Sequence, residues 1–473
     1  MMDTLKQSLS KELLSAKQRT YADIVEFLDK RWHVKQNSQT IERMKVLDKA
    51  LQSPSKKINT ILVAGTNGKS LTINFTTQLL RAEGLKVGSF YSPHTLTYNE
   101  RFAVNSETIT NKAFVEVINE IIAAAEELAI EPGAQELLAM AALKYFADQG
   151  VDVAVLEVNE GGTFNPVNIC NAHVATITRV TPCDTDTDEV KLQAGIEDVM
   201  GIVKQGTHVV SGDQNKGHLQ RMHQLADKAK GLWAMPIRKL ATLTYPFEQL
   251  HGRCAALAER TAQIYAEHAL GKDATVVSDS LLIKPKGQRG RPTLDEKRRS
   301  ELYPRKTLEQ FWKETTNQLP SRFQLLDKEK PSILLDNASN IDAFKNLLLG
   351  IRLLHYQRPL KGLTIVIGAA KKSLYSEEFL KMIRYFFKKT SGQLIVCPLD
   401  ETLPRVGEGT SWDAEQVAND AKSMKVKARA CASFEEAFDA AKKSVDERNG
   451  LVVITGSQSI IHQYWKHKGI KKF

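Results

Sequence analysis

The stretch that most constrains the fold is Ile61-Leu62-Val63-Ala64 followed by Gly65-Thr66-Asn67-Gly68-Lys69-Ser70. Four consecutive apolar residues read as a strand buried on both faces, which is the environment of a parallel sheet. The two glycines after them let the backbone turn and expose its N–H groups, and that arrangement suits a phosphate. The usual phosphate-loop pattern wants a glycine at position 63, where this chain has Val63, so the loop is a shortened variant. In it Gly65 and Gly68 shape the turn, Lys69 reaches the phosphates, and a hydroxyl reaches Mg²⁺. The plainer reading is a Gly-Asn turn leading into the helix "LTINFTTQLLRAEG".

Strands alternate with helices along the chain, the mark of a parallel sheet covered on both faces. The first series is "INTILVAG", "KVGSFYS", "VDVAVLEV", "HVATIT" and "THVVSG"; the second begins near residue 321 with "PSILLDNA", "LTIVIGAA", "GQLIVCPL", "KARACA" and "LVVITGS". Between them "NKAFVEVINEIIAAAEELA" has apolar residues at helical spacing, and "ELLAMAALKYFADQG" closes on a glycine, as helices commonly do. The expectation is an α/β protein: a parallel-sheet, phosphate-loop ATPase domain over 1–283, a basic insertion at 284–306, and a smaller Rossmann-like α/β domain over 307–473 with its core from 321. Glu157 ends the apolar run "VDVAVLEV". There a carboxylate projects from the sheet's carboxyl edge beside the phosphate loop and can ligate Mg²⁺.

Composition narrows the class. Hydrophobic residues at 42% and charged residues at 25% suit an ordinary globular protein, and no run of 18 apolar residues offers a membrane span. The first residues, "MMDTLKQSLSKELLSAKQRTYADIVEFL", read as an amphipathic helix and lack the apolar core of a targeting signal, so the expected location is the cytoplasm. Cysteines at 170, 183, 254, 397 and 431 form no CxxC pair and no zinc spacing. The segment 284–306 holds nine Lys or Arg against three Asp or Glu, six of the chain's ten surplus positive charges. A surplus so local marks a solvated or anion-facing loop; its "RGRP", residues 289–292, is also the core of an AT-hook, which leaves a nucleic-acid partner as an alternative.

Five motifs, "VAGTNGKS", "GLKVGSFYSPHTLTYNERFAVN", "VDVAVLEVNEGGTFNPVN", "LPSRFQLL" and "ILLDNASN", stand in the order seen in folylpolyglutamate and dihydrofolate synthases, and from about Tyr21 onward the chain resembles that branch of the Mur ligase superfamily. The resemblance implies an ATP- and Mg²⁺-dependent amide ligase, acting as a monomer on small molecules. It would phosphorylate a folate or dihydropteroate carboxylate and let the amine of L-glutamate attack the acyl phosphate. It further implies that Gly65, Thr66, Asn67, Gly68, Lys69, Ser70, Leu71 and Thr72 surround the nucleotide from one side. Arg322, Asp336 and Ser339 would do so from the other. Lys69, Glu157 and Asp184 are the expected catalytic residues, with Ser70, Thr72, Glu157 and Asp184 as the metal set. Ser92, Pro93, His94 and Arg101 match the substrate-side loop.

The departures from the pattern are equally specific. The family's Gly-Lys-Gly-Ser becomes Gly68-Lys69-Ser70-Leu71-Thr72, so the metal hydroxyl shifts to Ser70 or Thr72. "GLDH" becomes "TPCD", which puts Asp184 where a histidine helps hold the metal. The carbamylated lysine of the family aligns with Val199, leaving Asp198 or Glu197 as substitute carboxylates and Lys191 or Lys204 as alternative amines. A His-Gln pair and an Asn fall on Cys254, Ala255 and Ala258, the His of "DGAHN" on Ser339, and "GLGGRLDATN" reads "NEGGTFNPVN". These changes leave a second reading open, a superfamily ligase with another acid and amine.

Overall fold

Two twisted sheets, each closed over by helices, turn their carboxyl edges toward one another in the computed structural model, which describes residues 18–234, 248–269, 281–282, 308–314, 319–371, 373–402 and 409–473. The expected domain boundary, the basic segment 284–306 and the first 17 residues lie outside the described residues. The first sheet contains β1 (Asn59–Ala64), β2 (Val87–Phe90), β3 (Phe102–Val104), β4 (Glu107–Thr108), β5 (Val153–Glu157), β6 (Val174–Ile177), β7 (His208–Ser211) and β8 (Leu232–Trp233) in the order β4-β3-β2-β5-β1-β6-β7-β8. All its pairings are parallel except β2 with β3 and β3 with β4.

β1 is central, and its residues explain why. Ile61 and Val63 point into a core with Leu71, Phe75 and Leu79 of the helix Lys69–Ala82 and with Ala255, Ala258 and Ala262 of the helix Glu248–Ala269. Leu62 and Ala64 point the other way, into a core with Ile118 and Ile121 of the helix Asn111–Glu127 and Leu138 and Met140 of the helix Ala134–Asp148. A strand apolar at every position from Ile61 to Ala64 therefore has an apolar layer for each of its two faces.

The second sheet follows the same logic. It contains β9 (Gln324–Leu326), β10 (Ser332–Leu335), β11 (Leu363–Ile367), β12 (Gln393–Val396), β13 (Ala428–Ala430) and β14 (Leu451–Thr455) in the order β13-β12-β11-β14-β10-β9, with β9 antiparallel. Leu334 faces the helices Ile341–Gln357, Glu377–Lys389 and Ala414–Ser423, while Ile333 and Leu335 face Phe434–Lys443 and Gln458–His467. In both sheets the strand after the first helix skips a place, and a later strand returns to fill it: β5 between β2 and β1, β14 between β11 and β10. Where strand order reverses, the crossovers diverge and leave a crevice at the carboxyl ends. All ten strands expected from the sequence are present. The remaining β3, β4, β8 and β9 are short strands of two or three residues at or next to the sheet edges. Among the described residues no helix is long and apolar enough to cross a membrane.

Phe75 tests the first core. It is fully buried and meets the Trp312 ring edge-on at 5.3 Å. Phe75→Ala should cost about 3–5 kcal/mol, read as an earlier first transition in urea unfolding followed by tryptophan fluorescence. A shift worth under about 1 kcal/mol would contradict this packing.

Candidate functional site

The loop after β1 is shaped by its glycines and pinned by its neighbours. Gly65 has φ 118° and Gly68 φ 87°, both in the left-handed region. A Cβ on Gly65 would lie 2.3 Å from Thr178 Oγ1 and 2.7 Å from the Arg179 carbonyl oxygen, so only glycine fits beneath the end of β6. Thr66 donates its backbone N–H to that Arg179 carbonyl at 2.7 Å, and its hydroxyl bridges to the carbonyl and N–H of Thr181, each at 3.0 Å. Lys69 opens the following helix and donates its ammonium to the carbonyls of Gly65 (2.8 Å), Asn159 (3.1 Å) and Thr66 (3.4 Å). The cation thus sits over the loop mouth beside the first helical N–H groups, where the helix dipole adds positive potential.

Glu157 ends β5 beside the loop. It is buried, and its Oε2 accepts the Ser70 hydroxyl at 2.9 Å and the Ser92 N–H at 3.1 Å. Burial pushes its carboxyl above the ordinary 4.5, and the charges of Lys69 and Arg322 with those two donors pull it back. Arg322 comes from the second domain. Its Nη2 lies 3.4 Å from both Ser70 Oγ and the Pro93 carbonyl oxygen. The turn that presents it is strained on both sides: Ser321 has φ 63° and Phe323 φ 51°, rare for residues with a Cβ. Asp336, at the end of β10, accepts the Phe323 N–H at 2.9 Å and so holds the strained turn in place.

These groups line one cavity of about 1120 Å³ between the carboxyl edges of the two sheets. Of the residues expected at a site, Gly65 to Leu71, Ser92, Pro93, Glu157, Asp184, Arg322, Asp336 and Ser339 all border it. Three do not. Thr72 is fully buried on the side of the helix facing Cys254, so the hydroxyl that meets Glu157 belongs to Ser70. His94 and Arg101 are buried behind the cavity wall, where Arg101 Nε donates to His94 Nδ1 at 2.9 Å and Nη1 to Ser92 Oγ at 3.3 Å. They brace Ser92 from beneath and do not line this cavity.

The positions of departure are equally clear. Val199 borders the cavity, and Gly162 packs so tightly on it that a Cβ there would lie 2.3 Å from the Asp198 carbonyl oxygen and 2.8 Å from that of Val199. Asp198 also lines the cavity, but its Oδ1 accepts the Thr163 N–H at 2.9 Å; Glu197 turns out to an ion pair with Arg221. Lys191 borders the cavity and pairs with Asp186 at 3.3 Å, whereas Lys204 does not reach it and donates to the carbonyls of Asn168 and Cys170. Ala255 and Ala258 are core residues; only Cys254 of that trio reaches the cavity. Asp184 is exposed at the rim.

Sequence reasoning passed over Arg179, His251, Asn340 and Asp342, all on the cavity wall. Burial lowers His251 to about 4, so its imidazole is neutral at pH 7 beside Phe323. Asn340 carries a helix-capping signal, since its side chain accepts the Ala343 N–H at 2.9 Å, but nothing local announces that it also faces the phosphate loop.

No family model matches the chain. A dihydrofolate synthase/folylpolyglutamate synthase of Bacillus subtilis is 29% identical over 222 residues, 46% of this chain and 48% of the relative. The matched stretch thus spans about half the length of that relative. A Mycobacterium tuberculosis folylpolyglutamate synthase complexed with ADP superimposes with TM-score 0.73 at 19% identity, over 95% of this chain and 98% of the other. A Yersinia pestis folylpolyglutamate synthase/dihydrofolate synthase with Mn, AMPPNP and L-glutamate bound gives TM-score 0.71 at 20% identity, over 96% and 98%. The α/β fold expected from the sequence, two sheets with the phosphate loop on the first, is therefore the fold observed, and it is shared with these structures.

Burial pushes the Asp336 carboxyl from its ordinary 3.8 up to about 6. The folded chain then holds this proton more tightly than the unfolded chain, so the stability it contributes is complete below 3.8 and is lost as pH rises through about 6. Asp336→Asn, which keeps an acceptor for Phe323, should flatten that fall. Urea midpoints taken across this pH range for both proteins are the measurement, and parallel curves would count against a raised Asp336.

Proposed function

We propose that this relative of the dihydrofolate and folylpolyglutamate synthases is an ATP-dependent ligase that joins L-glutamate to the carboxylate of a folate or dihydropteroate. One observation carries the reading: Lys69, Ser70 and Glu157 of the first sheet meet Arg322 and Asp336 of the second across one cavity. The solved relatives bind ADP, or Mn, AMPPNP and L-glutamate, on the same fold, which supports ATP and a divalent metal here. We assign the two halves to residues 1–283 and 307–473 and place the protein in the cytoplasm, in keeping with its five free cysteines.

A carboxylate resists attack by an amine; ATP supplies the γ-phosphoryl group that makes it an acyl phosphate with a good leaving group. The protein's part is positioning and charge. The loop N–H groups and Lys69 would hold the phosphates, and Arg322 would close on them from the other domain, adding a planar guanidinium suited to phosphate oxygens. Mg²⁺ is bound in such sites through one or two carboxylates, phosphate oxygens and water. Ser70 and Glu157, 2.9 Å apart, are a hard-oxygen pair of that kind, and Asp184 stands at the rim for a further or water-mediated contact. Among the described residues no three acid, His or Cys side chains gather as a self-sufficient metal cage, as expected if phosphate and water complete the shell.

One feature favours the second reading, a ligase for another acid and amine. The wall position that the resemblance assigns to a carbamylated lysine is the apolar Val199. The direct test incubates the purified protein with ATP, Mg²⁺, L-glutamate and either dihydropteroate or tetrahydrofolate, following phosphate release and amide product by mass. Phosphate release with neither acid would shift the choice to that second reading.

Lys69→Ala should lower ATP turnover by about 100-fold or more, far beyond any effect of a modestly lowered melting temperature, because the ammonium serves phosphate charge as well as holding the loop carbonyls and offsetting Glu157. Lys69→Arg should also be poor. Glu157→Gln should cost far more than Asp184→Asn, since Glu157 is fixed on a strand while water can replace Asp184; Mg²⁺ titrations of both variants separate the two. With no amine at Val199, turnover should be the same with and without bicarbonate, and a drop on stripping carbon dioxide would point to Lys191, which borders the cavity as Lys204 does not.

A further inference from the structure

The phosphate loop is held from two domains. Asn67 lies between its two glycines, and its carboxamide is oriented wholly by the second domain. Nδ2 donates to Asn340 Oδ1 at 3.0 Å and to Asp342 Oδ2 at 2.8 Å, while Oδ1 accepts from Asn340 Nδ2 at 3.0 Å. The other oxygen of Asp342 accepts from Arg179 Nη2 at 2.6 Å in a half-buried ion pair. Arg179 is itself part of the loop's floor, since its carbonyl takes the Thr66 N–H at 2.7 Å. One carboxylate therefore spends each oxygen on a different support of residues 66 and 67. It sits in the first turn of the 17-residue helix Ile341–Gln357, where the helix dipole and the Asn340 cap favour a negative charge.

We infer that Asp342 is a positioning residue of the nucleotide site: by holding Asn67 and Arg179 at once, it makes docking of the second domain a condition for the phosphate loop to adopt its binding form. The inference rests on the proposed ATP site for its consequence, but the contacts themselves stand apart from it. An undocked second domain leaves the Asn67 amide and the Arg179 guanidinium to solvent, and the loop N–H groups lose the frame that aims them at one point. Phosphate binding and domain closure are then two readings of the same equilibrium, and a ligand that favours the docked arrangement draws the loop into order. An ordinary interdomain ion pair would hold the domains together without reaching the loop; the bond from Asp342 to Asn67 is what separates the two cases.

The test uses the full chain with Asp342→Ala, Arg179→Ala, the double variant and Asp342→Asn. Hydrogen exchange of the peptide spanning residues 66–70, read by mass spectrometry without nucleotide, should quicken by about tenfold in both alanine variants, the loss expected for a hydrogen-bonded charge. Affinity for Mg²⁺-AMPPNP by calorimetry should fall by a similar factor, with KM for ATP rising and kcat nearly kept. The double variant should be no worse than the poorer single one, because both remove one linkage. Asp342→Asn, which keeps an acceptor for Asn67, should recover part of the loss. Asn67→Ala removes the loop's side of the contact while leaving the Arg179–Asp342 pair and the helix N-terminus intact, and so decides the matter even if Asp342→Ala unfolds. Unchanged exchange at residues 66–70, or strictly additive effects, overturns the inference. Faster exchange in a protein whose parent binds no nucleotide leaves the latch standing and removes the ATP reading instead.

Discussion

The carboxylate of Glu157 is the charge on which the arrangement depends. A buried, unpaired carboxylate would be too costly to keep. It is kept here because Lys69 comes to it from the loop and Arg322 from the other domain, while the Ser70 hydroxyl and the Ser92 N–H bond it directly. Loop geometry, the strained turn at 321–323 and the approach of the second sheet all converge on satisfying one group. Removing either cation leaves the others with a charge they cannot neutralise alone, so these residues act as a set.

How much of this the sequence discloses follows from the range of each interaction. Central strands announce themselves because a parallel sheet needs apolar residues on both faces, as in Ile61 to Ala64 and Val153 to Leu156. Edge strands such as Glu107–Thr108 and Leu232–Trp233 have two residues and little burial, too short for any period to show. The phosphate loop is legible because its chemistry is local to six residues. Glu157 is legible because an acid closing an apolar run is conspicuous. Arg322 and Asp336 are legible only through resemblance, and Asn67 with Asn340, 273 residues apart, not at all. Thr72, His94 and Arg101 mislead for the same reason: the motif carries them into the neighbourhood of the cavity, and only packing decides that they face away from it.

The departures from the family pattern also sort by packing. Ala255 and Ala258 lie in the contact between the helices Lys69–Ala82 and Glu248–Ala269, where larger polar side chains would have to displace core. Val199 presents only its backbone to Gly162 and its position borders the cavity, so that contact sets no limit on the side chain there. The changes at Ala255 and Ala258 are therefore supported by their surroundings. Ser339 is exposed on the cavity wall, so a different residue there meets no such steric resistance.

The helix behind the phosphate loop has ten of its fourteen residues buried, between the sheet on one side and the helix Glu248–Ala269 on the other. A helix with almost no wetted face cannot fray or slide without opening the core around it, so its own fluctuations belong to the slow, globally limited class. The half formed by the first sheet thus behaves as an anvil. Slower collective motion is then left to the second sheet turning as a body. In the proposed ligase, turnover would then be paced by that turning and not by the chemistry, and substitutions that alter how far the second sheet swings would change speed without touching a single ligand-binding atom.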